Sequence, residues 1–313
     1  MSAGGPGVVI CVATFRRPEG LRRLLVGIAA QTFHSGPRPR LRIVVVDNEA
    51  SADTKAVCDA TAAELGLDLQ YVPESRVGIP YARNAALAAV TPADDWLCFI
   101  DDDEVPSPNW VGALLAAQRE TGAECVAGLV VPFFPPATPR WIVGGPYFGT
   151  KQSRSGTRVP PTGNSMISRQ AIERLNLSFD TTFGQSGGDD TLFFRQAARG
   201  GVRIVWTEAA IVFEHVMPGR LRLSRVMRRQ FREGCTLAAC DIAMGATWFE
   251  RAVRLAKGGG LIVIGALTLP LGLIRGVDAL AHGSCTLARG VGTLVGLAGV
   301  RFAEYRPDRN VDR

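Results

Sequence analysis

The run Trp96-Leu97-Cys98-Phe99-Ile100-Asp101-Asp102-Asp103-Glu104-Val105-Pro106 passes directly from an apolar segment into four acids. Five apolar residues are enough for a buried strand, and open α/β sheets bind ligands outside the carboxyl ends of their strands. Adjacent carboxylates repel one another unless a positive charge sits among them. A hard divalent cation, itself holding a phosphate, answers that need. The plain alternative is a polar turn in which Asp101 or Asp103 caps the next helix. The surrounding chain must decide.

Upstream, residues 8–12 (Val-Val-Ile-Cys-Val) read as a buried parallel strand that stops at Ala13-Thr14-Phe15-Arg16-Arg17-Pro18. Pro18 and Glu19 suit a first helical turn, and Leu21, Leu24, Leu25 and Ile28 follow at helical spacing. A second strand over 41–46 ends in Asp47-Asn48. Helix 52–65, strand 69–72 and helix 79–90 then lead to the strand 96–100. Trp110, Val111, Leu114 and Leu115 form the apolar face of one more helix. This alternation predicts a doubly wound, mostly parallel sheet through residue ~120.

Beyond it the rhythm changes. A long strand is expected over 125–134, and then a Pro/Gly-rich stretch, 135–161, of the length used for lids and binding loops. Helices are expected over 168–175 and 189–198, strands over 202–206 and 209–213, and a helix of alternating basic and apolar residues over 220–239. In the tail, 258–274 is seventeen residues without a charge. As a helix it would reach about 25 Å, short of a hydrocarbon core of about 30 Å. Lys257 and Arg275 flank it on both sides, so charge selects no orientation. A second apolar stretch, 290–300, carries Ala288, Gly292 and Gly296 at the spacing for close helix contact. An interfacial or re-entrant helix pair is preferred over a transmembrane hairpin or a soluble cap.

The chain has 313 residues, 47% of them hydrophobic, and a formal charge of +6, enough for a large α/β domain with an appendage. The basic excess lies late, at Arg220, Arg222, Arg225, Arg228, Arg229, Arg232, Arg251, Arg254 and Lys257. Beside an apolar tail this belt favours an anionic membrane surface or a phosphate-bearing ligand. No aromatic-rich motif accompanies it, so nucleic acid is not expected as a partner. Seven scattered cysteines lack metal or redox spacing and suit a reducing compartment. With no signal-type segment at the start, the catalytic body is expected on the cytoplasmic side.

If the strands are parallel, Thr14, Asp47, the segment from Arg76 to Asn84 and the acids from Asp101 share one sheet edge. Thr14 and Asp47 could bond a base or ribose there. Arg76 and Arg83 could neutralise phosphate, and Asp103 could hold a metal. Gly187-Gly188-Asp189-Asp190-Thr191 forms a second acidic site, where glycines admit a ligand and a carboxylate sits at a helix start. One aspartate could abstract a proton from a bound hydroxyl while its neighbour orients it. His215, after a strand and before Pro218, is a candidate third metal ligand, or a structural histidine.

Several of these segments together resemble the family 2 glycosyltransferases. They are Val-Val-Ile-Cys-Val-Ala-Thr-Phe-Arg-Arg at the start, the strand ending in Asp47-Asn48, and Arg76-Val77-Gly78-Ile79-Pro80-Tyr81-Ala82-Arg83-Asn84. To these are added the stretch from Phe99 to Glu104, Thr162-Gly163-Asn164, and Gly188-Asp189-Asp190. Within that family the chain is most similar to bacterial succinoglycan-type exopolysaccharide and cell-envelope transferases, including Glu304-Tyr305-Arg306 near its end. The resemblance implies a GT-A fold over 1–240, a Rossmann-like mixed sheet, with a helical, membrane-associated region over 241–313.

It further implies donor contacts from Thr14, Arg16, Asp47, Arg76, Arg83, Asp101 and Asp102. Asp101 and Asp103 would be an Asp-x-Asp pair holding Mg²⁺ or Mn²⁺, with Asp103 the direct ligand and His215 a possible third. Asp190 would be the catalytic base. Asp189 stands where the family usually has Glu, so either aspartate remains open for that role. The region Gln230-Phe231-Arg232-Glu233-Gly234 lacks the Gln-x-x-Arg-Trp motif of processive members, which implies one sugar per encounter.

The expected function is therefore inverting, metal-dependent transfer from a nucleotide-diphosphate sugar to a hydroxyl of a lipid-linked glycan, at the cytoplasmic membrane face. Two other classes share parts of this pattern. A haloacid-dehalogenase-like phosphatase would leave the strands before residue 95 unexplained. A non-catalytic membrane scaffold on the same fold would not need Asp190.

Overall fold

The apolar run near the start forms β1 (Gly7–Thr14) in the computed structural model, which describes residues 5–34, 36–149 and 159–302. β1 pairs in parallel with β2 (Arg40–Asp47) on one side and β4 (Trp96–Asp101) on the other; β3 (Leu69–Pro73) extends the parallel set beyond β2. Side chains alternate across a strand, so β1 feeds two cores. Val8, Ile10 and Val12 pack with Leu21, Leu24 and Leu25 of α1 (Pro18–Ala29) and Cys58 of α2 (Ala52–Leu65). Val9 and Cys11 face the other way, toward Ala82 and Ala86 of α3 (Ile79–Ala88). α1 opens on Pro18, and α2 is capped by the Ser51 hydroxyl and closed by Gly66 in the left-handed conformation.

After β4 come β5 (Glu104–Pro106), α4 (Trp110–Thr121), β6 (Cys125–Phe133), α5 (Arg140–Val143), β7 (Ser165–Ser168), α6 (Arg169–Leu175), α7 (Asp189–Arg199) and β8 (Ile204–His215). Among the described residues the strands form one sheet in the order β3-β2-β1-β4-β7-β6-β8-β5. β7 runs antiparallel to both β4 and β6. β8 is parallel to β6 and antiparallel to β5. The fold is thus a mixed α/β sheet, parallel where the alternation predicted it. The two strands expected over 202–213 are one, β8, whose register against β6 shifts between Ala127 and Leu129.

Packing divides the chain into two units. The first comprises Met1–Phe133, Gly149–Gly184 and Phe193–His215; the second comprises Phe134–Phe148, Gln185–Leu192 and Val216–Arg313. The second unit is built on α8 (Leu223–Ala243), α9 (Trp248–Thr268), the short α10 (Gly272–Arg275) and α11 (Val277–Leu297). Glycines let these helices meet backbone to backbone. A Cβ on Gly292 would lie 2.0 Å from the Phe231 carbonyl oxygen of α8, and one on Gly290 would lie 2.8 Å from the Gly258 carbonyl oxygen of α9. Small residues on α11 therefore serve two partners, the spacing noted at Ala288, Gly292 and Gly296 being the stripe toward α8.

α9 begins ten residues before the uncharged stretch, because Thr247 and Glu250 form a reciprocal capping box, and it stops just before Pro270. No described helix is long and apolar enough to cross a membrane. All seven cysteines are free and buried. Glu304-Tyr305-Arg306 and part of the 135–161 stretch lie outside the described residues.

Candidate active site

Parallel pairing places Thr14 opposite Asp47 and Ala13 opposite Asp101, so three strand ends meet at one edge of the sheet. The turn after β4 then alternates. Asp102 and Glu104 are buried, while Asp101 and Asp103 remain partly open, the Asp101 side chain being 41% exposed. One acidic run thus splits into an inward pair and an outward pair.

The inward pair organises the turn. Asp102 accepts from the Thr14 hydroxyl at 2.8 Å and from Arg17 Nη1 at 3.0 Å. Burial pushes its carboxyl up and Asp103 adds to that, while Arg17 and Thr14 pull it back. Glu104 accepts the Asp101 backbone N–H at 2.9 Å, and a Cβ on Gly163 would lie 2.5 Å from its Oε1. Burial first, then Asp101 and Asp103, holds the Glu104 carboxyl well above the usual range. The Thr162-Gly163-Asn164 segment is therefore small where it meets Glu104. Asn164 itself is a brace, accepting from Trp110 Nε1 at 2.8 Å and donating to the carbonyl oxygens of Leu129 and Ala210.

In the outward pair, Asp103 accepts from Arg17 Nη1 at 2.9 Å, and Asp101 lies 3.5 Å from Arg83 Nη2. Burial works against the charge on Arg17, but Asp102 and Asp103 hold it firmly protonated. Arg83, Asp101 and Thr162 line a small recess whose other walls are Cys11, Ala13, Ala86, Phe99 and Ile100. His215 stands beside this turn because β8 pairs with β5, and its backbone N–H donates to the Asp103 carbonyl oxygen at 2.8 Å. Burial, then Arg23, keeps the His215 imidazole on the neutral side of its ordinary value. The neutral form is the one that ligates metal.

The other strand ends are tied down differently. Asp47 is fully buried and accepts from the backbone N–H groups of Glu49 and Ser51 and from the Tyr71 hydroxyl. Asn48 bridges to the next strand's exit, donating to the carbonyl oxygens of Glu74 and Arg76 and accepting from Gly78 N–H at 2.8 Å. Arg76 forks onto Glu74 and lies over the Tyr81 ring, and Arg16, with φ 57°, pairs with Glu49 at 2.6 Å. Sequence reasoning did not single out Arg17 or Asn48. Their neighbours drew attention instead, although a second arginine before Pro18 and an amide after Asp47 were there to be read.

Asp189 and Asp190 belong to the second unit. The Leu192 N–H donates to the Gly188 carbonyl oxygen, so Gly188 takes the cap position and both aspartates lie in the first turn of α7. Carboxylates are stabilised there by the helix dipole. Asp189 is buried. Asp190 is partly open, and its Oδ1 accepts the Thr191 N–H at 2.6 Å. Gly187 and Gly188 have φ of 70° and 99°, and a Cβ on Gly188 would stand 2.1 Å from Thr236 Cγ2 of α8.

Among the described residues no group of three or more His, Cys, Asp or Glu side chains is gathered to hold a metal ion. Mg²⁺ and Mn²⁺ do not require such a cage. They bind through one or two carboxylates and take phosphate and water for the rest. Asp101 and Asp103, two hard oxygen donors on the open side of one turn, fit that pattern.

The family model described as Glycosyl transferase family 2 matches residues 9–175. The succinoglycan biosynthesis protein ExoM of Rhizobium meliloti (strain 1021) is 33% identical over 308 residues, covering 96% of each chain. The mannosyltransferase PcManGT of Pyrobaculum calidifontis superposes with a TM-score of 0.58 at 18% identity, over 94% of this chain and 88% of that one. TarS of S. aureus does so with a TM-score of 0.53 at 16% identity, over 93% of this chain and 55% of that one. These two likenesses bear on the fold, which is GT-A-like. The family match and the full-length relative together show that the chain is an enzyme of glycosyl transferase family 2.

Proposed function

We propose that the enzyme moves one sugar from a nucleotide-diphosphate sugar to a hydroxyl of a lipid-linked glycan, inverting the anomeric configuration. The observation that carries this reading is the sheet edge where Thr14, Asp47 and Asp101 end neighbouring parallel strands, with Asp101 and Asp103 turned outward. A nucleotide-sugar donor is supported by fold neighbours described in complex with GDP-Man and Mn²⁺ and with UDP-GlcNAc. A role in polysaccharide synthesis is supported by the relative named for succinoglycan biosynthesis.

In this reading the strand-end residues Thr14, Arg16 and Asp47 position the nucleoside, with Asp102 bracing Thr14. Arg76 and Arg83 face the diphosphate. Asp190 accepts the proton of the acceptor hydroxyl as its oxygen bonds to the anomeric carbon and the bond to the nucleoside diphosphate breaks. Asp189, buried behind it, holds the start of α7. Asp103 and Asp101 would hold Mg²⁺ or Mn²⁺, with His215 a neighbour of the pair and not gathered with it as a third ligand, and the ion would supply positive charge to the departing diphosphate. Residues 1–240 carry this chemistry, and 241–313 bring the enzyme to the cytoplasmic membrane face as a peripheral protein.

A panel of nucleotide sugars, each with and without Mn²⁺, tests the reading by thermal shift. A ligand that binds the folded state raises its melting temperature by mass action. One donor class should raise it only with Mn²⁺ present. A flat response across uridine, guanosine and thymidine diphosphate sugars would contradict the reading.

A further inference from the structure

α9 has two unlike faces. Gly258, Ile262 and Gly265, at spacings of four and three, pack against α11: a Cβ on Gly265 would lie 2.6 Å from the Leu287 backbone nitrogen. On the opposite side Phe249, Val253, Ala256, Val263 and Leu267 recur at intervals of three, four and seven, and all are exposed. The ridge does not end with the helix. Pro270 closes α9, and the exposed side chains of Leu271, Ile274 and Val277 continue it through α10 into α11. Leu267 is 69% exposed and Ile274 84%; Trp248, at the other end, is 81% exposed. An apolar stripe of this length on a water-facing helix implies a partner.

Charge identifies that partner. Residues 216–302 hold twelve Arg and Lys against four Asp and Glu. Lys257 and Arg275 are exposed beside the ridge, and Arg222 and Arg225 at the start of α8 are exposed too. The acids on the ridge are Glu250, which is engaged in the capping box, and Asp278. A second copy seated on this face would bring the same cationic residues toward their own kind. An anionic lipid surface instead pairs with the basic residues and takes up the apolar stripe. Trp248 has the amphipathic ring that settles at headgroup depth. No described helix is long and apolar enough to cross a membrane, and one exposed apolar face flanked by basic residues is the pattern of a helix that lies in the bilayer plane.

We infer that the exposed face of α9, continued over Leu271 and Ile274, is an in-plane docking surface for anionic phospholipid. This deepens the membrane part of the proposed function and is independent of the transfer chemistry. The test is flotation of the full chain with vesicles of phosphatidylcholine, with or without phosphatidylglycerol, in the absence of donor and acceptor. The wild type should float with the anionic vesicles, weakly with neutral ones, and less in high salt. Leu267→Glu/Ile274→Glu should lower the partition coefficient more than tenfold at unchanged melting temperature. Lys257→Ala/Arg275→Ala should lower it on the order of tenfold on anionic vesicles only. Asp190→Asn should float like the wild type, so a loss of transfer and a loss of docking are told apart. Failure of the wild type to float, or equal flotation of the Leu267→Glu/Ile274→Glu variant, would overturn the proposal. So would a variant that changes oligomeric size and not flotation, which would assign the face to a second copy.

Discussion

His215 donates its backbone N–H to the carbonyl oxygen of Asp103 at 2.8 Å, so the end of the last strand is fastened to the acidic turn through the main chain. The imidazole is not needed for that bond. His215→Ala should therefore leave stability nearly unchanged and act only on metal affinity. We expect Mn²⁺ binding, followed by electron paramagnetic resonance of the free ion, to weaken about tenfold or more. Unaltered Mn²⁺ binding would remove His215 from the metal's surroundings.

Arg17 is shared by Asp102 and Asp103, at 3.0 and 2.9 Å. Arg17→Ala would leave Asp102 buried with only Thr14 and the Phe15 N–H as partners. Because Arg17 is itself 43% exposed, the cost should be about 1–3 kcal/mol, below that of a fully buried pair. Chemical denaturation would measure it, and Arg17→Lys should recover part of the loss.

Burial alone would raise the Asp94 carboxyl, but hydrogen bonds from Arg42, at 2.6 Å, and from Thr91 outweigh it and hold it below the usual carboxylate range. A depressed carboxyl stabilises the fold above its unfolded value, roughly pH 3.9, and that contribution is lost as pH falls through the folded value. Asp94→Asn should cost about 1–3 kcal/mol at neutral pH. Its stability should also fall less steeply than the wild type's on acidification below about pH 4. Parallel denaturation curves of the two proteins between pH 7 and pH 3 would contradict this.

Two glycines separate backbone strain from packing. Gly66 has φ 64° with open space around it, while Gly188 combines φ 99° with the close approach of Thr236. Gly66→Ala should cost about 1 kcal/mol. Gly188→Ala should cost roughly 2–4 kcal/mol, because the clash adds to the strain. A Thr236→Ala second change should relieve the clash and leave the strain, and melting temperatures of the three variants read this directly.

The parallel half of the sheet was legible because β1, β4 and the second half of β2 are buried on both faces and so are written as apolar runs ending in polar residues. The antiparallel part was not. β5 is three residues long and hidden in the acidic run, β7 is four residues of mixed polarity, and β8 passes through Glu208 where its register shifts, which reads as a gap between two strands. Within the site, residue types were visible but side-chain direction was not. That Asp102 turns inward to Thr14 and Arg17 while Asp103 stays open depends on the turn's alternation. That Asn48 clamps the Arg76 loop depends on β2 and β3 being neighbours. The start of α9 escaped the reading, because the uncharged stretch from 258 draws the helix boundary away from the capping pair Thr247 and Glu250 upstream.

The central claim is that Asp190 takes the acceptor's proton, and the Asp190→Asn enzyme tests it most directly. With donor and a membrane-extracted acceptor, turnover should fall by roughly 10²–10⁴ while nucleotide-sugar affinity, measured by calorimetry with Mn²⁺, stays within a few-fold of wild type. Turnover near the wild-type rate at unchanged donor affinity would contradict the account.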